Sequence, residues 1–125
     1  MQDFRQLKVW EKAHALTLSI YAATKPFPKE ERYGLVSQMR RSASSIATNI
    51  CEGCCRSSDA DFARFLQIAL GSASELEYQL LLSRDLEYLA LPQYRKLAAE
   101  VEEVKRMLTS LISRVRGKAA SAASS

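Results

Sequence analysis

The sequence predicts an all-α protein, an up-down-up-down antiparallel bundle of four helices. Apolar residues recur every three or four positions through four long stretches, which is the period of a half-buried helix. Glycine and proline are scarce, 4 and 3 of 125 residues, and sit mainly at the breaks between stretches. The connecting segments are short, so neighbours in sequence must run antiparallel.

The first helix is expected from about Gln6 to Thr24, where Val9, Ala13, Leu16, Ile20 and Ala23 form one apolar stripe and Pro26 and Pro28 end it. The second is expected from Lys29 to Gly53, with the glycine as a left-handed terminus. Its core line is Leu35, Met39, Ala43, Ile46 and Ile50. Beside that line run Gln38, Ser42, Ser45, Asn49 and Glu52, all but the last uncharged where a solvated face would more often carry Lys and Glu. Such a seam predicts a second contact, with a neighbouring helix or another subunit.

The third helix is expected from a Ser58 cap, with Asp61 as its box partner, to about Glu87, and to be the longest. Phe62, Phe65, Leu66, Ala69, Ala73, Leu76 and Leu80 line its inner face. Pro92 suits the first turn of the fourth helix. There Leu97, Val101, Val104, Leu108, Leu111 and Val115 alternate by four and three, as in a coiled-coil seam. After Gly117 the chain reads KAASAASS, so residues 1–117 are assigned to the bundle and 118–125 to a low-complexity tail.

The chain has the size of one domain with a single core. Hydrophobic residues are 47% and charged residues 26%, an ordinary soluble composition. No apolar run reaches the roughly 20 residues of a membrane span, and the amino terminus lacks a signal-peptide core. A cytoplasmic location and no membrane partner are expected.

Cys51, Cys54 and Cys55 form an odd cluster that cannot be a complete disulfide framework, which fits a reducing compartment. A closed zinc site needs four ligands, and only His14 could add one, so no metal or other cofactor is expected. Cys51 is read as a small buried residue, Cys54 and Cys55 as loop. His14 accompanies no nucleophile motif. The carboxylates to weigh are Glu52, Glu75 and Glu77; with no Glu-x-x-His motif they do not make a di-iron site. Gln38, Arg41, Ser45, Asn49, Glu52, Glu75 and Gln79 are instead assigned to a polar network or subunit contact, and no catalytic residue is named.

Net charge is +4, and every charged residue from Lys105 onward is basic. An antiparallel bundle would gather Arg5, Lys8, Arg56, Arg64, Arg114, Arg116 and Lys118 at one pole, with Asp3, Glu52, Asp59 and Asp61 offsetting part of the field. Cations at a helix C-terminus also complement its dipole, which accounts for some of them structurally.

One constellation of residues carries a family resemblance. It runs from Leu7-x-Val9-Trp10 through Phe27-Pro28-x-x-Glu31, Tyr33-Gly34-Leu35, Gln38, Arg40-Arg41, Ser45-Ile46, Asn49-Ile50, Glu52-Gly53 and Arg56. It continues with Phe62, Phe65-Leu66, Ala69, Gly71-Ser72, Glu75-Leu76 and Gln79-Leu80. Over residues 4–89 the chain resembles the bacterial four-helix bundle proteins of 23S rRNA intervening sequences; it departs from their pattern in the cysteines at 51, 54 and 55. The resemblance implies a ring, a homopentamer with a central channel, and no enzyme activity. It also implies kinship with the accessory variability determinant of diversity-generating retroelements, a basic pentamer that binds nucleic acid and a reverse transcriptase.

The expectation is therefore a non-enzymatic homo-oligomer that binds nucleic acid, RNA ahead of DNA, through phosphate contacts without base readout. The rival readings are a protein-binding adaptor, for a reverse transcriptase or another enzyme, anchored by Tyr78, Tyr88 and Tyr94, and a purely self-assembling structural protein.

Overall fold

The computed structural model describes residues 2–124 of the chain. Four α-helices make up the fold: α1 Lys8–Thr24, α2 Leu35–Cys54, α3 Asp59–Asp85 and α4 Leu91–Ser124. Single 3-10 turns at Phe4–Gln6 and Lys29–Glu31 precede α1 and α2, and there is no strand among the described residues.

Side-chain contacts fix the directions. Ser42 meets Glu75 while Ser45 meets Ser72, so α2 and α3 are antiparallel. Thr17 reaches the Ala43 carbonyl and Arg40 reaches Thr24, which sets α1 against α2. Lys105 pairs with Glu77 and Arg116 with Gln67, which sets α4 against α3. Lys12 pairs with Glu103 and closes α4 onto α1. The bundle is up-down-up-down, with α1 and α3 on the diagonal.

The expected stripes of α1 and α2 are all buried, and Leu16, Ile20, Met39, Ile46 and Ile50 are among the largest fully buried side chains. Four details differ. The α2 helix starts at Leu35 rather than Lys29, because the chain turns at Gly34, whose backbone (φ −110°, ψ −111°) is not helical. Gly53 lies inside α2 with no positive φ. Its role is steric, since a Cβ there would stand 2.8 Å from Phe62 Cδ1 and 3.1 Å from Phe65 Cβ. The left-handed residue among the described residues is Glu87, at φ 65°. Its N–H donates to the Arg84 carbonyl and that of Tyr88 to Ser83, both 2.9 Å, which is a Schellman ending for α3.

The fourth difference is α4 itself. At 34 residues it, and not α3 with 27, is the longest helix, about 51 Å at 1.5 Å per residue. The segment assigned to a tail continues it, because Ala and Lys are strong helix formers even where nothing is buried. Ile112 takes the core position expected of Leu111, which sits half-buried at the edge. A straight helix of 3.6 residues per turn drifts off a strict heptad seam over this length, and the stripe drifts with it.

Candidate nucleic-acid interface

The N-termini of α1 and α3 and the C-termini of α2 and α4 meet at one end of the bundle. Ser58 caps α3 as expected, accepting the Asp61 N–H at 3.1 Å; the Asp61 carboxylate turns away to Arg64. Three clefts open at this end. One, about 380 Å³, lies between α1 and α4 and is lined by Lys8, Arg106 and Arg114 over Leu7, Met107 and Leu111. A second, about 410 Å³, has Arg64 and Arg116 on its walls, and a third, about 150 Å³, has Arg56 and Lys118.

The seven expected cations are thus brought together, with Arg5 exposed just ahead of α1. They are not equivalent. Arg5 pairs with Asp3 at 3.8 Å, Arg56 with Glu52 at 2.9 Å and Arg64 with Asp61 at 2.9 Å. Lys8, Arg114 and Lys118 have no carboxylate partner among the described residues, and Arg116 has only the neutral Gln67 amide at 3.3 Å. The unneutralised positive charge therefore lies on α4 and the first turn of α1, with Asp59, which makes no ion pair among the described residues, lining the same cleft as Lys118. Phe65, expected in the core, stands half-buried at the rim with the Arg56 and Arg64 guanidiniums each 4.5 Å from its ring. Those contacts hold two long side chains that would otherwise be free to swing.

The polar seam resolves into contacts within one chain. Ser42 donates to Glu75 Oε1 at 3.0 Å, the Ser45 and Ser72 hydroxyls lie 2.9 Å apart, and Asn49 Nδ2 donates back to Ser45. Gln79 is buried beside them, and its side-chain oxygen has no donor among the described residues. Gln38 and Arg41 do not join the network; both are exposed, and Glu52 is engaged by Arg56.

Cys54 is the buried thiol, the last residue of α2, with Cys51 half-buried and Cys55 exposed. Burial pushes the Cys54 thiol up to about 11 from its ordinary 9.0, with the neighbouring cysteines adding to the rise. Cys51 is also raised by burial, partly offset by the Trp10 indole N–H beside it; that N–H is buried and makes no hydrogen bond of good geometry. Both thiols therefore hold their protons at neutral pH. No group of three potential metal ligands converges among the described residues. His14 is exposed and stacks on Trp10, ring centroids 5.1 Å apart.

Of the three tyrosines considered as anchors, Tyr88 packs on Phe27 and donates to Glu31 at 2.9 Å, and Tyr94 lies under Arg84. Only Tyr78 stands out from the surface, 61% exposed. No helix among the described residues is long and apolar enough to cross a membrane.

The family model described as "23S rRNA-intervening sequence protein" matches residues 5–110. Among solved structures, the chain is similar to a protein of unknown function from the S23 ribosomal protein family of Bacteroides thetaiotaomicron. The two share 31% identity and a TM-score of 0.77 over 84% of this chain and 95% of that one. No curated protein matches the chain.

Proposed function

The chain belongs to the 23S rRNA-intervening sequence protein family, and from that premise we propose that it is a non-enzymatic, self-assembling bundle that binds nucleic acid through its basic pole. The observation that carries the reading is the convergence of Lys8, Arg114, Arg116 and Lys118 without carboxylate partners. Cations left unpaired by their own protein are available to displace counterions from phosphates. Lys8 and Arg114 flank one cleft while Arg116 and Lys118 wall the other two, so contacts can be made from several sides of the pole. Phosphate contacts position a strand without reading its sequence. RNA is favoured over DNA because the family is named for an rRNA intervening sequence.

Assembly multiplies the contacts. Leu18 and Tyr21 are exposed on α1, and Ile68 and Tyr78 on α3. These side chains lie on diagonal helices and differ from each other, which suits a head-to-tail contact; such contacts form a ring where the rotation closes. A homopentamer is the assembly we assign, and a cytoplasmic one. The adaptor reading retains only Tyr78 as an exposed anchor of the three considered, and that residue is one of the exposed α3 side chains assigned to assembly.

Binding of the purified protein to a structured RNA and to a DNA duplex of equal length across a salt series tests the reading. The affinity is expected to fall steeply with salt. In the R114A/R116A/K118A variant the slope of log affinity against log salt should shrink by roughly 0.7 to 0.9 per lost phosphate contact. Absence of binding at low salt overturns the proposal.

A further inference from the structure

A second cationic site stands at the opposite end of the bundle. Between the C-terminus of α1 and the start of α2 lies a cleft of about 440 Å³, lined by Lys25, Lys29, Arg32 and Arg40 together with Thr24, Phe27, Pro28 and Val36. Four of its eight lining residues are cationic and none is acidic. None of the four has a carboxylate within ion-pair distance among the described residues. The nearby Glu31 is occupied elsewhere, accepting the Leu35 N–H at 3.3 Å and the Tyr88 hydroxyl at 2.9 Å.

Arg40 is held in place before any ligand arrives. Its Nε donates to the hydroxyl of buried Thr24 at 3.0 Å, its Nη2 donates to the Tyr21 carbonyl at 3.2 Å, and its guanidinium lies 4.6 Å from the Tyr21 ring. A guanidinium has five N–H donors, so more remain to be used. The C-terminus of α1 accounts structurally for Lys25 and for Arg40, which donates to the last-turn Tyr21 carbonyl, but not for Lys29 and Arg32, which flank only a single 3-10 turn. The cleft has the volume of a small-molecule pocket. It is separated from the other pole by the length of α1, about 25 Å, beyond the roughly 8 Å screening length at physiological salt.

We infer that this cleft binds a di- or triphosphate group, free or carried by a nucleotide, with Arg40 as the fixed anchor and Lys29 and Arg32 as the closing cations. The apolar wall of Phe27, Pro28 and Val36 gives a nucleotide additional contact that bare polyphosphate lacks.

Calorimetric titration of the full chain with ATP and with sodium tripolyphosphate at physiological salt tests the inference. K29Q/R32Q changes two exposed residues and leaves Arg40 and its helix contacts intact. R95Q/K96Q removes the same charge from exposed positions of α4 outside the cleft. Saturable binding of one ligand per chain is expected, weakened roughly tenfold or more in K29Q/R32Q, as loss of hydrogen bonds to a charged group implies, and less than about twofold in R95Q/K96Q, whose charges act only through screened solvent. Thermal melts of both variants should match the parent. Tighter binding of ATP identifies a nucleotide as the source; equal binding identifies the polyphosphate alone. No binding of either probe, or equal losses in the two variants, overturns the inference. So does an RNA affinity that drops in K29Q/R32Q while neither probe binds, which makes the cleft an extension of the nucleic-acid surface. Because R114A/R116A/K118A leaves the cleft untouched, failure there and failure here are distinguishable.

Discussion

Glu87 holds a conformation that suits glycine, since α3 ends through a left-handed residue with a Cβ in the crowded position. Glu87→Gly should raise the unfolding free energy by about 1 kcal/mol, because it removes that crowding from the folded state; urea denaturation measures it, and an unchanged midpoint would count against the Schellman assignment. The cysteines differ in a way that iodoacetamide can read. Cys55 is exposed and Cys54 buried with its thiol raised to about 11, so mass spectrometry at neutral pH should find Cys55 alkylated well before Cys54. The same shift has a sign for stability. A thiol that binds its proton more tightly when folded stabilises the fold below the unfolded value of 9.0, and that contribution is lost as pH rises toward about 11. Denaturation at pH 8 and pH 10.5 should therefore show a smaller alkaline loss in Cys54→Ala than in the parent.

Two glycines in helices should respond in opposite directions to alanine. At Gly53 the new methyl meets Phe62 at 2.8 Å, whereas at Gly71 nothing lies within 4 Å. Gly53→Ala should cost about 1–3 kcal/mol through overpacking, and Gly71→Ala should add about 0.5–1 kcal/mol through helix propensity; thermal melts of the pair decide it. Glu75→Ala should cost about 1–3 kcal/mol, because it leaves the buried Ser42 hydroxyl without its acceptor. Unchanged melting of that variant would mean the α2–α3 seam does not stabilise the chain. At this scale the sequence was most readable: Val9 to Ala23 and Leu35 to Ile50 are the buried stripes their spacing predicted. What periodicity could not show was anything depending on two elements at once. Gly53 reads as a terminus until α3 is seen against it, and Phe65 reads as core until Arg56 and Arg64 are seen on its ring. The basic pole could be read because chain order and antiparallel topology place helix ends by themselves. The opposite cleft could not, since the sequence puts Lys29 and Arg32 inside the second helix, whereas the chain makes only a single 3-10 turn there and Arg40, from α2, folds back beside them.

Across the whole molecule, clusters of cations without carboxylate partners stand at both ends of the bundle, while the ion pairs Lys12–Glu103, Lys105–Glu77 and Arg106–Glu102 lie between them. The α4 helix determines much of that arrangement, carrying Arg114, Arg116 and Lys118 along its last turns. Light scattering should give a particle of about five times the 14.0 kDa chain mass if the diagonal apolar patches close a ring, and Tyr78→Asp with Ile68→Asp should return it to monomers. The lone tryptophan adds an optical consequence. Trp10 lies in the first turns of α1, edge-on to Phe4 at 4.9 Å and stacked on His14, two residues after Lys8. Its emission is therefore an intrinsic reporter located at one end only. A strand arriving over Lys8 should change the colour or lifetime of that fluorescence, whereas a ligand entering the far cleft, some 20 Å along the helix, should leave it dark to the event. One cuvette can thus report, without any label, when this end of the molecule has been occupied.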